Sequence, residues 1–261
     1  MFAIESENIV GYQKVEVGVG YSSFTPTFKD VQGGALYLSS ISPTRTLTDA
    51  YATSGKTNTC KGNIKVQLLT DGGDYSTVYY FYSTDPKNGT NYNKWYKLVG
   101  QTLTEIGETE VSIPVGLGFA VNNLTQNTAY FQVSGSVDLV CQNVVAVGYS
   151  MMGNSTPVDM YLADITPMKS ATENYATSGK TGTCKGNIKV QLLTSSGDYS
   201  TVYYFYSTDP KSGTNYNKWY KLVGQTLTEI GETEVLLPAG TGFAVNNLTT
   251  ATAYLQLKKP L

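Results

Sequence analysis

The sequence contains no histidine, only three cysteines, and charged side chains at just 15% of its 261 positions. The lack of histidine removes the commonest general base, the commonest metal ligand and the side chain that titrates nearest neutrality, so the expectation is that the chain is not an enzyme. Eighteen Lys and Arg against 20 Asp and Glu leave a net charge of −2. No basic face stands ready to neutralise a phosphate backbone, and nucleic acid is not expected as a partner. No apolar run approaches the roughly 20 residues that span a bilayer. The start MFAIESENIV lacks the basic residues and apolar core of a signal peptide. The chain is therefore read as soluble, with no membrane span, and as a mature form from which a signal has been removed.

The cysteines do not define a framework. Cys60 in TNTCKGN and Cys184 in TGTCKGN occupy equivalent positions of two near-copies, whereas Cys141 in DLVCQNV has no counterpart. A Cys141–Cys184 bridge would leave Cys60 alone. Three buried free thiols acting as small apolar residues are the simpler account, and spacing alone establishes no pairing. The chain has no C-x-x-C pair to suggest zinc.

What the chain does have is tyrosine, 21 of them, together with threonine, valine, glycine and asparagine. These residues favour pleated strands and the turns between them. Much of the chain is also written twice: STVYYFYSTDP begins at Ser76 and again at Ser200. Aligning Tyr51 with Tyr175 gives an offset of 124 that runs to the C-terminus without a gap, and 70 of the first 80 aligned positions are identical. Upstream, VGYSSFTPTFKDVQGGALYLSSISP answers to VGYSMMGNSTPVDMYLADITP, with four extra residues in the first copy. The expected architecture is all-β: two tandem β-sandwich or barrel-like domains, residues 1–134 and 135–261, joined without a flexible spacer.

Within each copy the alternation predicts a hairpin. STVYYFYS (76–83) puts Val78, Tyr80 and Tyr82 on one face and Tyr79 and Phe81 on the other, TDPKNGTNYN turns, and KWYKLV (94–99) returns. One helical turn is expected near DITPMKSATENYA. The aromatic residues Tyr79, Phe81, Trp95 and Tyr96, with Tyr203, Phe205, Trp219 and Tyr220, cannot all enter one thin core if the strands alternate. Some are expected at the surface, stacking on sugar rings or covered by another subunit.

Other motifs read as structure. SGKTNTC (54–60) has Gly-Lys-Thr, but the glycine a phosphate loop needs five residues earlier is Ala50, or Asn174 in the second copy. PVGLGF and PAGTGF lead into strands, so their glycines are expected to make tight turns with positive φ. No cofactor is expected. DGGD (71–74) is the one calcium candidate, but the second copy reads SSGD and keeps only Asp198, so such a site would not be common to both units. Glu105, Glu108 and Glu110, repeated as Glu229, Glu232 and Glu234, lie within six residues in a polar turn, where a solvated edge is simpler than a glycosidase pair. Asn-x-Thr sequences occur at Asn88, Asn123, Asn154 and Asn247.

The segments NVVAVGYSMMGNSTPVDMYLADI, NKWYKL and LPAGTGFAVNNLTTATAYLQL resemble a β module found in tandem in secreted and cell-surface bacterial proteins. Gly148, Tyr149, Ser150, Gly153 and Asn154 fit its first segment, Trp219 its second, and Pro238, Gly240, Gly242, Phe243 and Asn246 its third. In the first copy Gly20, Tyr21 and Ser22 fit, but the Gly-Asn pair is missing. The resemblance implies an extracellular or cell-surface, non-catalytic module. The expected function is a structural subunit that assembles with copies of itself into a surface layer, sheath or fibre. The alternative is a bivalent carbohydrate-binding or adhesin module. A head-to-tail contact between TAYLQL at the C-terminus and FAIESENIVGY of another copy, imitating the internal junction, is the expected assembly route.

Overall fold

A computed structural model describes residues 10–29, 34–44, 64–69, 75–84, 91–100, 102–125, 127–137, 142–168, 188–194, 196–208, 215–224, 226–249 and 251–257. These residues form antiparallel β-structure throughout, with two single 3-10 turns at Leu38–Ser40 and Leu162–Asp164. The first half contains β1 (Val10–Val17), β2 (Gly20–Phe24), β3 (Phe28–Lys29), β4 (Leu36–Tyr37), β5 (Ser42–Thr44), β6 (Ile64–Leu69), β7 (Tyr75–Thr84), β8 (Asn91–Val99), β9 (Thr102–Glu105), β10 (Ser112–Ile113), β11 (Phe119–Asn123) and β12 (Ala129–Val137). The second contains β13 (Gln142–Val145), β14 (Gly148–Gly153), β15 (Met160–Tyr161), β16 (Ile165–Met168), β17 (Ile188–Leu193), β18 (Tyr199–Thr208), β19 (Asn215–Val223), β20 (Thr226–Glu229), β21 (Leu236–Leu237), β22 (Gly242–Asn247) and β23 (Ala253–Leu257).

Each half is a sandwich. In the first, a six-stranded sheet ordered β2-β11-β6-β7-β8-β9 faces a smaller sheet in which β12 pairs with β1, β3 and β5; β4 and β10 form a short ribbon. The second half has a six-stranded sheet ordered β14-β22-β17-β18-β19-β20, a small sheet β13-β23-β16 and a ribbon β15-β21. No named strand of one half lies in a sheet of the other. β12 pairs with β1 as far as Ser136↔Val10 and ends at Val137, and β13, which pairs in the second set of sheets, begins at Gln142.

Alternation decides what each sandwich encloses. Inward residues from the large sheet, among them Phe24, Ile64, Val66, Phe81, Trp95, Phe119 and Val121, meet Val17, Phe28, Ala129, Phe131 and Val133 from the small one. Phe24 stands 5.2 Å from both Phe119 and Phe131, edge-on to the latter. The second core replaces Phe24 by Met152 and Phe131 by Leu255. These are compensating changes of shape in an interior of otherwise similar residues.

Two expectations require correction. The helical turn predicted near DITPMKSATENYA is a 3-10 turn at Leu162–Asp164 that passes directly into β16; residues 169–187 lie outside the described residues. The head-to-tail contact fails on hydrogen bonding. TAYLQL forms β23, which is paired on both sides, by β13 and β16, so neither edge is open to another chain. Nor does the internal junction provide the pattern, since β12 pairs within the first half and β13 within the second.

Candidate functional site at the seam

The eight aromatic residues singled out from the sequence are all buried, none more than 9% exposed. Tyr79, Phe81 and Trp95 enter the first core, and Tyr203, Phe205 and Trp219 the second. Phe81 meets Trp95 edge-on at 5.3 Å, as Phe205 meets Trp219. The indole N–H of Trp95 donates to the Ile41 carbonyl at 2.9 Å, and that of Trp219 to the Ile165 carbonyl at 2.8 Å, so each polar handle is satisfied inside. Tyr96 and Tyr220 lie on the opposite sheet face, packed edge-on against Tyr82 and Tyr206 at 5.3 and 5.4 Å. The alternation was read correctly. The expected surface exposure was not, because both faces of the hairpin are covered within the chain.

The outer face of each large sheet carries one cross-strand row. In the first half it runs Tyr21, Asn122, Lys65, Tyr80, Tyr96, Glu105 from β2 to β9. In the second it runs Tyr149, Asn246, Lys189, Tyr204, Tyr220, Glu229, the same residue types in the same order. Burial raises the hydroxyl pKa of Tyr80 and of Tyr204, with a smaller contribution from the Tyr21 or Tyr149 hydroxyl along the row. At the far end Glu105 pairs with Lys94 and Glu229 with Lys218. Glu110 pairs with Lys97 and accepts the Gly107 N–H, and Glu234 does the same with Lys221 and Gly231. These carboxylates are exposed and ion-paired along an edge, in keeping with the solvated reading.

Three of the four Asn-x-Thr sequences build turns. Asn123, Asn154 and Asn247 are at most 2% exposed. Each side-chain amide donates to two backbone carbonyls: Val17 and Asn127, Val158 and Leu237, and Val145 and Ala251 respectively. Each carbonyl oxygen accepts from the N–H and hydroxyl of the threonine two residues on. The asparagine thus satisfies backbone groups that the turn leaves without a partner. Asn88 lies outside the described residues, as do Ser54–Cys60, Asp71–Asp74 and all three cysteines. Asp198 closes a small turn: its backbone carbonyl accepts from the Thr194 N–H at 2.8 Å and its carboxylate from Ser196 at 3.2 Å. Among the described residues no three carboxylates or thiols gather as a metal site, and no helix is long and apolar enough to cross a membrane.

The two halves meet along a seam made largely of backbone. β2 lies against β22 and β17, and β14 against β6. Phe24 bridges to Thr241 and Leu117 to Met152. The Thr25 N–H donates to the Gly240 carbonyl at 2.7 Å and the Gly118 N–H to the Met151 carbonyl at 2.9 Å, while the Ser23 hydroxyl donates to the Gly242 carbonyl. Met151, on the outer face of β14, is fully buried there, as is Thr25. The Tyr21 ring rests on Gly197, where a Cβ would come within 2.8 Å.

The Gly-x-Gly segments owe their glycines to this seam. Gly116 and Gly240 have φ of 86° and 79°, as a tight turn requires. The second glycines serve close approach: a Cβ on Gly118 would stand 2.5 Å from the Met152 carbonyl, and one on Gly242 would stand 3.1 Å from the Phe24 backbone. That second role escaped the sequence reading. Its signal was present, since both glycines persist between VSIPVGLGF and VLLPAGTGF while several neighbours change.

Beside the seam runs a groove of about 630 Å³ between β1 and β2 on one side and Pro157, Asp159 and Pro238–Ala239 on the other. Tyr12, 62% exposed, stands at its rim with Lys14 and Glu16. Comparison with known proteins found no matching family model, curated protein or solved structure.

Proposed function

We propose that the chain is a non-catalytic, extracellular structural subunit that assembles with copies of itself into a layer, sheath or fibre. One observation carries this reading: the Tyr-Asn-Lys-Tyr-Tyr-Glu row and the edge strand that ends it occur twice with the same residues. They end at the two sheet edges farthest from the seam, β9 and β20. Among the described residues each of these edges is paired on one side only. A block with halves joined through backbone hydrogen bonds, presenting one surface at two ends, has the valence a growing assembly needs. Buried, satisfied indoles and ion-paired carboxylates leave these residues no evident catalytic task. The test is light scattering over a concentration series, with negative-stain microscopy of the heaviest fraction. Regular objects growing with concentration are expected; a monomer at every concentration refutes the proposal.

The seam groove favours a second reading, a carbohydrate-binding or adhesin module. Tyr12 and Tyr21 with Lys14, Glu16 and Asp159 combine rings with polar groups as a sugar site does. Saturable glycan binding by the monomer, weakened by Tyr12→Ala, would support it over assembly.

A further inference from the structure

Equivalent residues exchange roles across the seam. Positions up to Thr25 correspond to the second half at an offset of 128, and those after the four extra residues at 124. Phe24 thus answers to Met152 and Leu117 to Thr241. The bridge Phe24↔Thr241 is the counterpart of Leu117↔Met152. The turn at Gly240 lies against Val15, where a Cβ would be 3.2 Å from its methyl, and the turn at Gly116 lies against Asn143, the equivalent of Val15. Thr25 touches Gly153, which is its own counterpart. A surface whose residue i meets j, whose j meets i, and whose central residue meets itself has the geometry of a two-fold dimer.

We infer that the seam is a self-recognising dimerisation surface carried by each half, closed within the intact chain by the two halves themselves, and that once they part its partner in a second copy of the chain is the second half. The central pair sets this choice. Two second halves would bring Gly153 against Gly153, with room to spare. Three of the contacts they need already occur here with a first-half equivalent: Gly118 with Met151, Leu117 with Met152, Gly116 with Asn143. Two first halves would bring Thr25 against Thr25, where even a lone Cβ on Gly153 overlaps the Thr25 hydroxyl. The second half therefore pairs with itself or with the first half, while the first half pairs only with the second. Thr25 opposite Gly153 keeps the tandem arrangement from competing with a first-half pair. The inference concerns the seam alone and stands or falls separately from the assembly proposed above.

A full-length chain with a protease site inserted between Val137 and Gln142 tests it, cut after folding. Two such preparations, isotopically distinct, are mixed, exchanged and examined by native mass spectrometry, with tryptophan fluorescence reporting that Trp95 and Trp219 stay buried. Expected are mixed halves and second-half dimers, with first-half dimers at least tenfold rarer. Thr25→Gly should raise first-half dimers at least tenfold, and Gly153→Thr should remove second-half dimers. Folded second halves that never pair with one another, where cut halves remain associated, would overturn the inference. So would separation of the cut halves into folded monomers, or first-half dimers forming as readily in the unsubstituted chain. If Gly153→Thr unfolds its half, the gain of pairing in Thr25→Gly decides.

Discussion

Asn247 offers a sharp test of how the turns are held. Its amide donates to the Val145 carbonyl at 3.2 Å and the Ala251 carbonyl at 2.9 Å, and its oxygen accepts from the Thr249 N–H at 3.0 Å and hydroxyl at 2.7 Å. The residue is 2% exposed and the Val145 end of the site is fully buried. Each bond contributes about 1 kcal/mol net, and a buried group stranded by deletion costs about 1–3 kcal/mol. Some stranded groups will find water on the Ala251 side. Asn247→Ala should therefore cost about 3–4 kcal/mol, well above the roughly 1 kcal/mol typical of point substitutions. Asn247→Asp keeps the accepting oxygen but sets a second carboxylate oxygen against two carbonyls. Its folded-state pKa must rise, so the stabilising protonated form is present at low pH and its contribution is lost as pH rises. The Asp variant should match the Ala variant near neutrality and recover in acid. Urea unfolding followed by tryptophan fluorescence measures both. A loss below about 1 kcal/mol for Asn247→Ala, or an Asp variant no more stable in acid relative to the parent, would refute the account.

Other consequences follow from the same structure. Trp95→Ala or Trp219→Ala should each cost about 3–5 kcal/mol in thermal or urea unfolding, since each removes a buried indole and strands a carbonyl. A folded but undiminished variant would mean that the ring is not in the core. Expressed through a eukaryotic secretory route, the folded product should carry no glycan at Asn123, Asn154 or Asn247, because their amides are buried and already donate twice; glycopeptide mass spectrometry would read this directly. The Glu110 and Glu234 carboxyls are held below their usual 4.5, first by the hydrogen bond from Lys97 or Lys221 and then by the Gly107 or Gly231 N–H. A lowered folded-state pKa gives stability that is present above the ordinary value and lost as pH falls through the lowered one. The thermal midpoint should not respond to these groups between about pH 7 and 5.5, and part of its decline below about pH 4.5 should vanish in a Glu110→Gln/Glu234→Gln chain. These pairs lie at the surface with their side chains about a third exposed, so the effect should also shrink in high salt.

Much of the fold was legible because period-2 alternation and a gapless repeat leave few alternatives. The two faces of STVYYFYS, the hairpin return through KWYKLV and the positive-φ glycine turns were all read directly from residue order. What escaped was where the faces are covered. Alternation says that Tyr79 and Tyr80 point oppositely, but not that the small sheet covers one side while Tyr82, Tyr96 and Leu103 cluster on the other. The seam was hidden for a similar reason. Backbone-to-backbone bonds such as Thr25 to Gly240 carry no side-chain signature except the glycines that permit them. The turn-building role of Asn-x-Thr was hidden because the same three residues spell both a glycosylation acceptor and an asparagine-capped turn, and only burial separates the two.

The central claim, one surface presented at the two ends of a two-part block, is tested most directly by capping the ends one at a time. Thr104 and Thr228 are exposed on β9 and β20, and a lysine on an edge strand discourages pairing without disturbing the core. Light scattering should find open-ended growth for the unsubstituted chain, a discrete dimer for Thr228→Lys alone, and a monomer for Thr104→Lys/Thr228→Lys. A doubly capped chain that grows like its parent, or a parent that never leaves the monomer, would contradict the account.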